Sequence, residues 1–392
     1  MYSFNLLVTT ILVVLSLLLT FLIASVETSP IGNKAETTSS PRTLRLPIRR
    51  QASSHGKRSN VFSGTLQNVE WSYLIDVQVG TPPQSLSLVF DTGSSDTWVF
   101  SPEACSSDAQ CAGSFNSSVS STFDDTSPGS FAISYGDQSH VEGDYFIDDL
   151  RVSNATISAL TMGLAKTGQF QGVATSHGIM GAGYVLNEAV TGANEYPNIV
   201  YELVSQNIIG NYSFSLWLDD LFASTGTILF GGYDSSRFHG SLTTMHTLAN
   251  ANGMISTFLV SMLSLGATYK NRTTTFTSPT FNGAALLDSG TATTHVPSAV
   301  YAGLANYFGA DANGVVDCRL GQTEGHASFG FVGVTIRVPF SELSLLDSTT
   351  GLCTFGFFDG GESLILGDTF LRSAYVYYDL GNNEIGLAQT AY

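Results

Sequence analysis

Basic residues are scarce in this chain. Only 15 of its 392 residues are Lys or Arg, against 32 Asp or Glu, and the formal net charge is −17. Binding a phosphate backbone needs basic patches, so nucleic acid is excluded as a partner. The scarcity deepens along the sequence. Residues 1–58 hold seven of the fifteen bases, which leaves eight against thirty acids from Ser59 onward. With so few bases, protonating the carboxylates builds little self-repulsion, as tolerance of low pH requires. The same composition also suits a surface that merely stays soluble.

Long apolar runs are equally scarce. There is one, Leu6–Val26, with no charge in the first 26 residues. It reads as a signal peptide over residues 1–25, although no basic residue precedes it, and its length also fits an uncleaved anchor. No second run follows, and Gly386–Tyr392 offers no hydrophobic tail for a lipid anchor. No stable membrane anchor is expected, and the chain is read as secreted and extracellular, with the cell wall as a further location. Cysteines number four. In an exported chain they suggest two disulfides, and four allow three connectivities. The sequential pairing Cys105–Cys111 and Cys318–Cys353 is the expected one. Neither spacing is zinc-like and no histidine clusters nearby, so no metal site is expected. Asn-x-Ser/Thr acceptors at Asn116, Asn154, Asn211 and Asn271 agree with export.

What the chain has in quantity is apolar β texture. Hydrophobic residues make up 43%, enough for a two-lobed enzyme. Tyr73, Ile75, Val77 and Val79 alternate with more polar residues. Gly80-Thr81-Pro82-Pro83 breaks that strand, and Leu86, Leu88 and Phe90 alternate again into Asp91. Convincing helices are few: Asn198–Gln206, and Ser298–Phe308 after Pro297. Mostly short strands with two or three helices imply an all-β protein. Residues 26–58 are polar and carry the dibasic pairs Arg49-Arg50 and Lys57-Arg58. They read as a pro-segment cut after Arg58, its positive charge suited to lie across an acidic cleft. A disordered linker is the other reading.

An internal repeat organises the rest. Leu88-Val89-Phe90-Asp91-Thr92-Gly93-Ser94 matches Leu286-Leu287-Asp288-Ser289-Gly290-Thr291. Further on, Gly178-Ile179-Met180-Gly181 matches Leu364-Ile365-Leu366-Gly367. Two similar lobes, residues 59–235 and 236–392, would face each other and bring the aspartates together on a pseudo-twofold axis. An aspartate ending an apolar strand is costly without partners, and Thr/Ser-Gly supplies hydroxyl and N–H donors on a permissive backbone. Two carboxylates this close cannot both ionise, so one pKa rises and they share a proton. The ionised member can take a proton from water while the protonated member polarises a scissile carbonyl. Neither a metal nor a cofactor is required. One such motif alone is an ordinary turn or cap.

These motifs resemble the pepsin-like aspartic proteases over most of residues 70–390. The resemblance rests on Asp91-Thr92-Gly93-Ser94-Ser95-Asp96-Thr97-Trp98-Val99, Tyr135-Gly136-Asp137, Leu287-Asp288-Ser289-Gly290-Thr291, and Ile365-Leu366-Gly367-Asp368-Thr369-Phe370-Leu371-Arg372. The last motif, the cysteine count and the dibasic segment are similar to the fungal secreted branch of candidapepsins, barrierpepsins and yapsins. The resemblance implies a bilobal acid protease fold with the active site between two β lobes. It implies a zymogen-derived, monomeric endopeptidase that cuts protein or peptide substrates beside apolar residues, and that pepstatin-type inhibitors bind. The aspartic protease dyad is itself the reference case for a shared proton.

By resemblance Asp91 and Asp288 are catalytic, and Ser94 and Thr291 bond their outer oxygens. Thr92 and Ser289 cross-link the loops that Gly93 and Gly290 allow. Tyr135 is the flap residue on the hairpin Ser130–Gly143, steadied by Trp98. Gly136 and Asp137 bond substrate backbone, and Ile179 lines an apolar subsite. Two positions depart from the pattern. Gln138 stands where many relatives have glycine at the flap tip. His177 stands where an aspartate is common, which makes it a surface substitution or a modifier of subsite polarity.

Rival chemistries fit less well. Paired glycosidase carboxylates are not usually set in repeated Asp-Thr/Ser-Gly turns. A serine hydrolase using Ser289 and His295 would lack its nucleophile elbow. Gly178–Gly183 has the wrong order for nucleotide binding. The non-enzyme alternative is an inactive, protease-like binding or cell-wall protein.

Overall fold

The computed structural model describes residues 42–50, 72–107, 111–169, 176–190, 194–223, 225–347 and 350–392. The expected signal peptide and the Arg58 cleavage point lie outside them. Among the described residues no helix is long and apolar enough to cross a membrane.

The first half supplies β1 (Leu44–Arg50), β2 (Tyr73–Val79), β3 (Gln84–Asp91), β4 (Thr97–Phe100), β5 (Asp124–Ser134) and β6 (His140–Val152). It continues with β7 (Ala155–Gln169), β8 (Gly178–Gly181), β9 (Ser213–Leu218) and β10 (Thr225–Phe230). The second half opens with β11 (Phe238–His246), β12 (Leu259–Tyr269), β13 (Arg272–Thr275), β14 (Gly283–Leu287) and β15 (Thr294–Val296). Then come β16 (Val315–Val316), β17 (Gly325–Phe331), β18 (Val334–Pro339), β19 (Ser344–Leu346) and β20 (Cys353–Phe355). β21 (Phe357–Asp359), β22 (Ile365–Leu366), β23 (Ala374–Asp379) and β24 (Glu384–Thr390) complete the set. The helices are α1 (Pro102–Ser107), α2 (Ile199–Ser205), α3 (Ser298–Phe308) and α4 (Asp368–Leu371).

One sheet of 13 strands runs β11-β24-β23-β9-β10-β1-β2-β3-β8-β4-β7-β6-β5. It draws β11, β23 and β24 from the second half, so the two halves share a continuous floor. A second sheet of eight strands, β18-β17-β12-β14-β22-β15-β21 with β13 on β12, belongs to the second half alone. The architecture is all-β and bilobal. Under the centre of the floor, Phe90, Phe214, Phe230, Phe258 and Tyr378 interlock, with Phe214 and Tyr378 stacked at 4.6 Å and Phe90 edge-on to Phe214 at 5.8 Å. Phe90 of this cluster immediately precedes Asp91, so aromatic packing anchors the strand that carries it.

Helix ends follow local chemistry. Asn198 accepts from Val200 N and caps α2. α3 follows Pro297 and ends at Gly309, whose φ of 73° suits only an achiral residue well.

Residues 44–50 of the expected pro-segment form strand β1. Leu44, Leu46 and Ile48 are buried, and β1 pairs antiparallel with β10 and β2 inside the floor sheet. Arg45 and Arg49 point the other way, Arg45 meeting Asp234 and Arg49 meeting Asp76 at 3.1 Å, while Arg50 is half-buried on the inward side near Tyr73. The apolar alternation outweighs the charge, so this stretch enters the sheet as a strand rather than lying over the cleft as a basic cover.

Both cysteine pairs are joined as sequence spacing suggested, Cys105 to Cys111 and Cys318 to Cys353. Asn116, Asn154, Asn211 and Asn271 are all exposed. Asn116 also accepts from Ser118 N and Ser118 Oγ in its own turn.

Candidate active site

Each aspartate stands at the end of a parallel strand pair. β3 runs beside β8, with Asp91 opposite Gly181; β14 runs beside β22, with Leu287 opposite Leu366 just before Asp288. The loop after each aspartate is tied to the chain after the glycine: Ala182 N donates to Asp91 O at 2.9 Å and Asp368 N to Thr291 O at 2.9 Å. Only a glycine fits beneath. A Cβ on Gly181 would lie 2.6 Å from Ser95 C, and one on Gly367 would lie 2.2 Å from Thr291 O.

The two loops then grip each other. Thr92 N donates to Ser289 Oγ at 3.1 Å, and Ser289 N donates to Thr92 Oγ1 at 3.0 Å. Thr92 Oγ1 in turn donates to Leu287 O, and Ser289 Oγ donates to Phe90 O, across the pseudo-twofold. Ser289 is therefore committed to this lattice and is not paired with His295.

Both carboxylates are buried and symmetrically held. Gly93 N donates to Asp91 Oδ1 at 2.7 Å and Gly290 N to Asp288 Oδ1 at 2.9 Å. Ser94 Oγ donates to Asp91 Oδ2, and Thr291 Oγ1 donates to Asp288 Oδ2 at 2.7 Å. The inner oxygens face each other across the glycines: a Cβ on Gly93 would sit 2.5 Å from Asp288 Oδ1, and one on Gly290 would sit 2.5 Å from Asp91 Oδ1. Burial first, and the Asp288 charge second, push Asp91 up to about 7. The pair thus holds one proton well above the usual carboxylate range.

The glycines carry a prediction. Gly290→Ala is expected to displace the Asp91 carboxylate and cut kcat by about 100-fold, since ångström-scale misplacement costs that much. Near-wild-type kcat for purified, folded G290A would show that this contact does not set the geometry.

The hairpin expected to form the flap turns between β5 and β6. Trp98 Nε1 donates to Tyr135 OH at 2.7 Å. Asp137 accepts from Ser139 N at 2.8 Å and Ser139 Oγ at 2.9 Å, so its carboxylate braces the turn. Gly136 has open space around it. Gln138 holds φ of 72°, a conformation that glycine adopts freely and side chains resist. Ile179 packs with Trp98, Phe100, Phe131, Ile133 and Tyr135 in one apolar cluster. His177 is not at this cleft. Its Nδ1 lies 2.9 Å from Ser87 O, and it lines a separate cavity of ≈ 550 Å³ with Asp76, Ser87 and Arg151.

Sequence reasoning assigned no role to several buried charges. Asp96 accepts from Tyr145 OH at 2.7 Å, Tyr196 OH at 2.8 Å and Ala189 N at 2.8 Å. Asn187, next to this group, donates to Gly93 O at 3.1 Å and so braces the Asp91 loop. Glu188 accepts from Tyr196 N at 3.1 Å, while its other oxygen is buried with no hydrogen-bond partner. Behind Asp288, Asp368 is fully buried with neither oxygen hydrogen-bonded, and burial pushes it well above the carboxylate range. The legible signal was a carboxylate embedded in an apolar motif, which demands donors from elsewhere.

Glu188 makes a second prediction. Burial, then Asp96 and Glu195, raise it to about 8, while the Tyr196 N–H opposes them. The folded protein keeps a proton that the unfolded chain releases, so stability falls as pH rises from about 4.5 through 8. Glu188→Gln is expected to leave the urea midpoint unchanged at pH 4. At pH 8 it should raise stability by about 1–2 kcal/mol. An equal effect at both pH values would contradict this.

Fold and site together define a class: a two-lobed β enzyme with an aspartate pair in matched loops is an aspartic peptidase. Residues 72–390 match the family model described as eukaryotic aspartyl protease, and the chain belongs to that family. It is 36% identical to the "Probable aspartic-type endopeptidase opsB" of Aspergillus oryzae, over 86% of this chain and 72% of that one. It is 34% identical to candidapepsin of Candida tropicalis, over 86% and 83%. The fold is similar to the crystal structure of aspartic proteinase from Irpex lacteus, at a TM-score of 0.68 and 23% identity, over 89% of this chain and 98% of that one.

Proposed function

We propose that this chain is a secreted endopeptidase, made as a zymogen, that hydrolyses internal peptide bonds at acidic pH between Asp91 and Asp288. The observation that carries this reading is the mutual approach of the two carboxylates, each filling the space a Cβ on the other loop's glycine would need. The ionised aspartate takes a proton from water as the water oxygen attacks the scissile carbonyl carbon. The protonated aspartate gives its proton to the carbonyl oxygen, leaving a neutral gem-diol. On collapse, one diol hydroxyl gives its proton to the ionised aspartate while the protonated aspartate gives its proton to the nitrogen, so the C–N bond breaks, an acid and an amine leave, and the dyad again holds one proton. No covalent intermediate forms.

Substrate is held under the flap carrying Tyr135, with Gly136 and Asp137 beside it. The apolar wall of Ile179, Phe131 and Ile133 favours apolar residues next to the cut. The exposed Asn-x-Ser/Thr sites and the paired cysteines suit an extracellular, glycosylated monomer. Cleavage after Arg58 would begin the mature chain at Ser59.

The test is to acidify the expressed full chain and assay casein or haemoglobin cleavage with and without pepstatin. Pepstatin-blocked proteolysis at acidic pH supports the reading. Pepstatin-insensitive proteolysis, or full activity in Asp91→Asn, refutes it.

A further inference from the structure

The pseudo-twofold that pairs Asp91 with Asp288 also pairs the strands that follow, β4 with β15 and β8 with β22. Seven residues beyond each aspartate stand Trp98 and His295. The register confirms their equivalence: Trp98 lies opposite Ile179 in the antiparallel pair β4–β8, and His295 lies opposite Ile365 in β15–β22. Directly opposed residues of an antiparallel pair share one face of the sheet. Trp98 fixes which face this is, because its indole reaches the flap tyrosine. His295 and Ile365 therefore form the matching wall on the Asp288 side of the cleft.

That wall is chemically unlike its twin. The Trp98 wall is apolar, its one N–H already given to Tyr135. The His295 ring is half-buried and lies 4.8 Å from the Phe358 ring, tilted by 37°. Gly360 backs it so closely that a Cβ there would come within 3.1 Å of His295 Cβ. Among the described residues no hydrogen bond or ion pair occupies either ring nitrogen, and neither is a buried atom lacking a partner. The imidazole thus has an aromatic floor and a polar edge open to whatever enters the cleft.

Few charges face it. β21 brings Phe358 and Asp359, but the Asp359 carboxylate already accepts from Ser298 Oγ at 2.6 Å and Gly361 N at 3.0 Å. β22 brings Ile365. The start of α3 brings Ser298, whose hydroxyl that same carboxylate takes. The aspartate loop brings Asp288, engaged by Gly290 N and Thr291 Oγ1. Burial lowers the His295 pKa below its ordinary value, and Asp288 partly offsets this.

We propose that His295 is a specificity-determining residue that recognises a carboxylate side chain, Asp or Glu, of the substrate on the Asp288 side of the cleft. The protonated imidazole supplies the complementary N–H, and Phe358 and Ile365 cover the methylenes of the substrate side chain. Opposite charges coexist only above the carboxylate pKa of about 4 and below that of His295, so the preference has a window. The proposal rests on the assignment of Asp91 and Asp288 as the dyad.

The experiment compares kcat/KM for peptide pairs that differ only by Glu or Gln, scanned through the positions flanking a fixed apolar cut, from pH 3.5 to 6.5. Wild type should favour Glu over Gln by about fivefold at one position, with the ratio collapsing at both ends of the range. His295→Asn should bring the ratio to about one. His295→Arg should keep it high up to pH 6.5, because its charge does not titrate there. Ratios taken within each variant cancel any change in overall rate. A flat wild-type ratio at every position overturns the proposal even if both variants fail to fold, and so does a preference that His295→Asn leaves intact. Failure of the dyad reading would look different, as pepstatin-insensitive cleavage of the Gln peptides themselves.

Discussion

Changing Asp288 to Asn is expected to lower kcat on an apolar peptide by about 10⁴-fold, because the pair loses the carboxylate that exchanges roles with Asp91. The fold should survive. Asparagine keeps an oxygen for Gly290 N, and a like charge disappears from beside Asp91. Stability supplies an independent sign. Asp91 in the folded protein holds its proton up to about 7, while the unfolded chain releases it near 3.8. Wild-type stability therefore falls as pH rises between those values. Removing the Asp288 charge removes the second cause of that rise, though not burial, the first. The variant should lose less stability between pH 4 and pH 7 than wild type does. The measurement is kcat at pH 4 together with urea midpoints at both pH values. A kcat within 100-fold of wild type, in folded protein, would remove Asp288 from the reaction.

The second large effect is structural. Arg372 is fully buried, with Nε on Glu342 Oε2 and NH2 3.3 Å from Glu342 O. Glu342 Oε1 accepts from Leu221 N at 3.0 Å, so one carboxylate serves two chain segments. Glu342→Gln leaves a guanidinium in the interior without its counter-charge. Breaking one side of such a pair costs about 3–5 kcal/mol. A matching fall in unfolding free energy at pH 5 is expected. Glu342→Gln and Arg372→Met together should be less harmful than Glu342→Gln alone, since the stranded charge is gone. If the double variant is the less stable of the two, the charge argument is wrong.

The parts of the molecule legible in its sequence are those written in local pattern. The alternation through Tyr73–Val79 and Leu86–Phe90 matches β2 and β3, and Pro297 with Gly309 brackets α3. The aspartate loops were legible because the repeat doubles a signal that is weak alone. What escaped were long-range partnerships. Tyr145 and Tyr196 lie 49 and 100 residues from Asp96, and Glu342 lies 30 from Arg372. No periodicity announces such pairs. α1 and α4 are too short to repeat a helical face. β1 escaped for another reason: three arginines drew attention to charge, while Leu44, Leu46 and Ile48 carried the strand. His295 read only as a candidate in a rejected hydrolase. Its position became informative once the register set it opposite Ile365.

Strand β1 has a bearing on maturation. Six of its residues pair with β10, and it also pairs with β2, so it closes a seam between the two parts of the floor sheet. A cut after Arg58 severs a covalent bond some distance downstream and breaks none of these contacts. The upstream fragment would then remain seated as a separate polypeptide, and Edman sequencing of native-purified enzyme would return two N-termini. Should it leave, β10 and β2 would present bare backbone edges, which readily recruit strands from other molecules. Another segment would have to take the gap, or the enzyme would be prone to self-association.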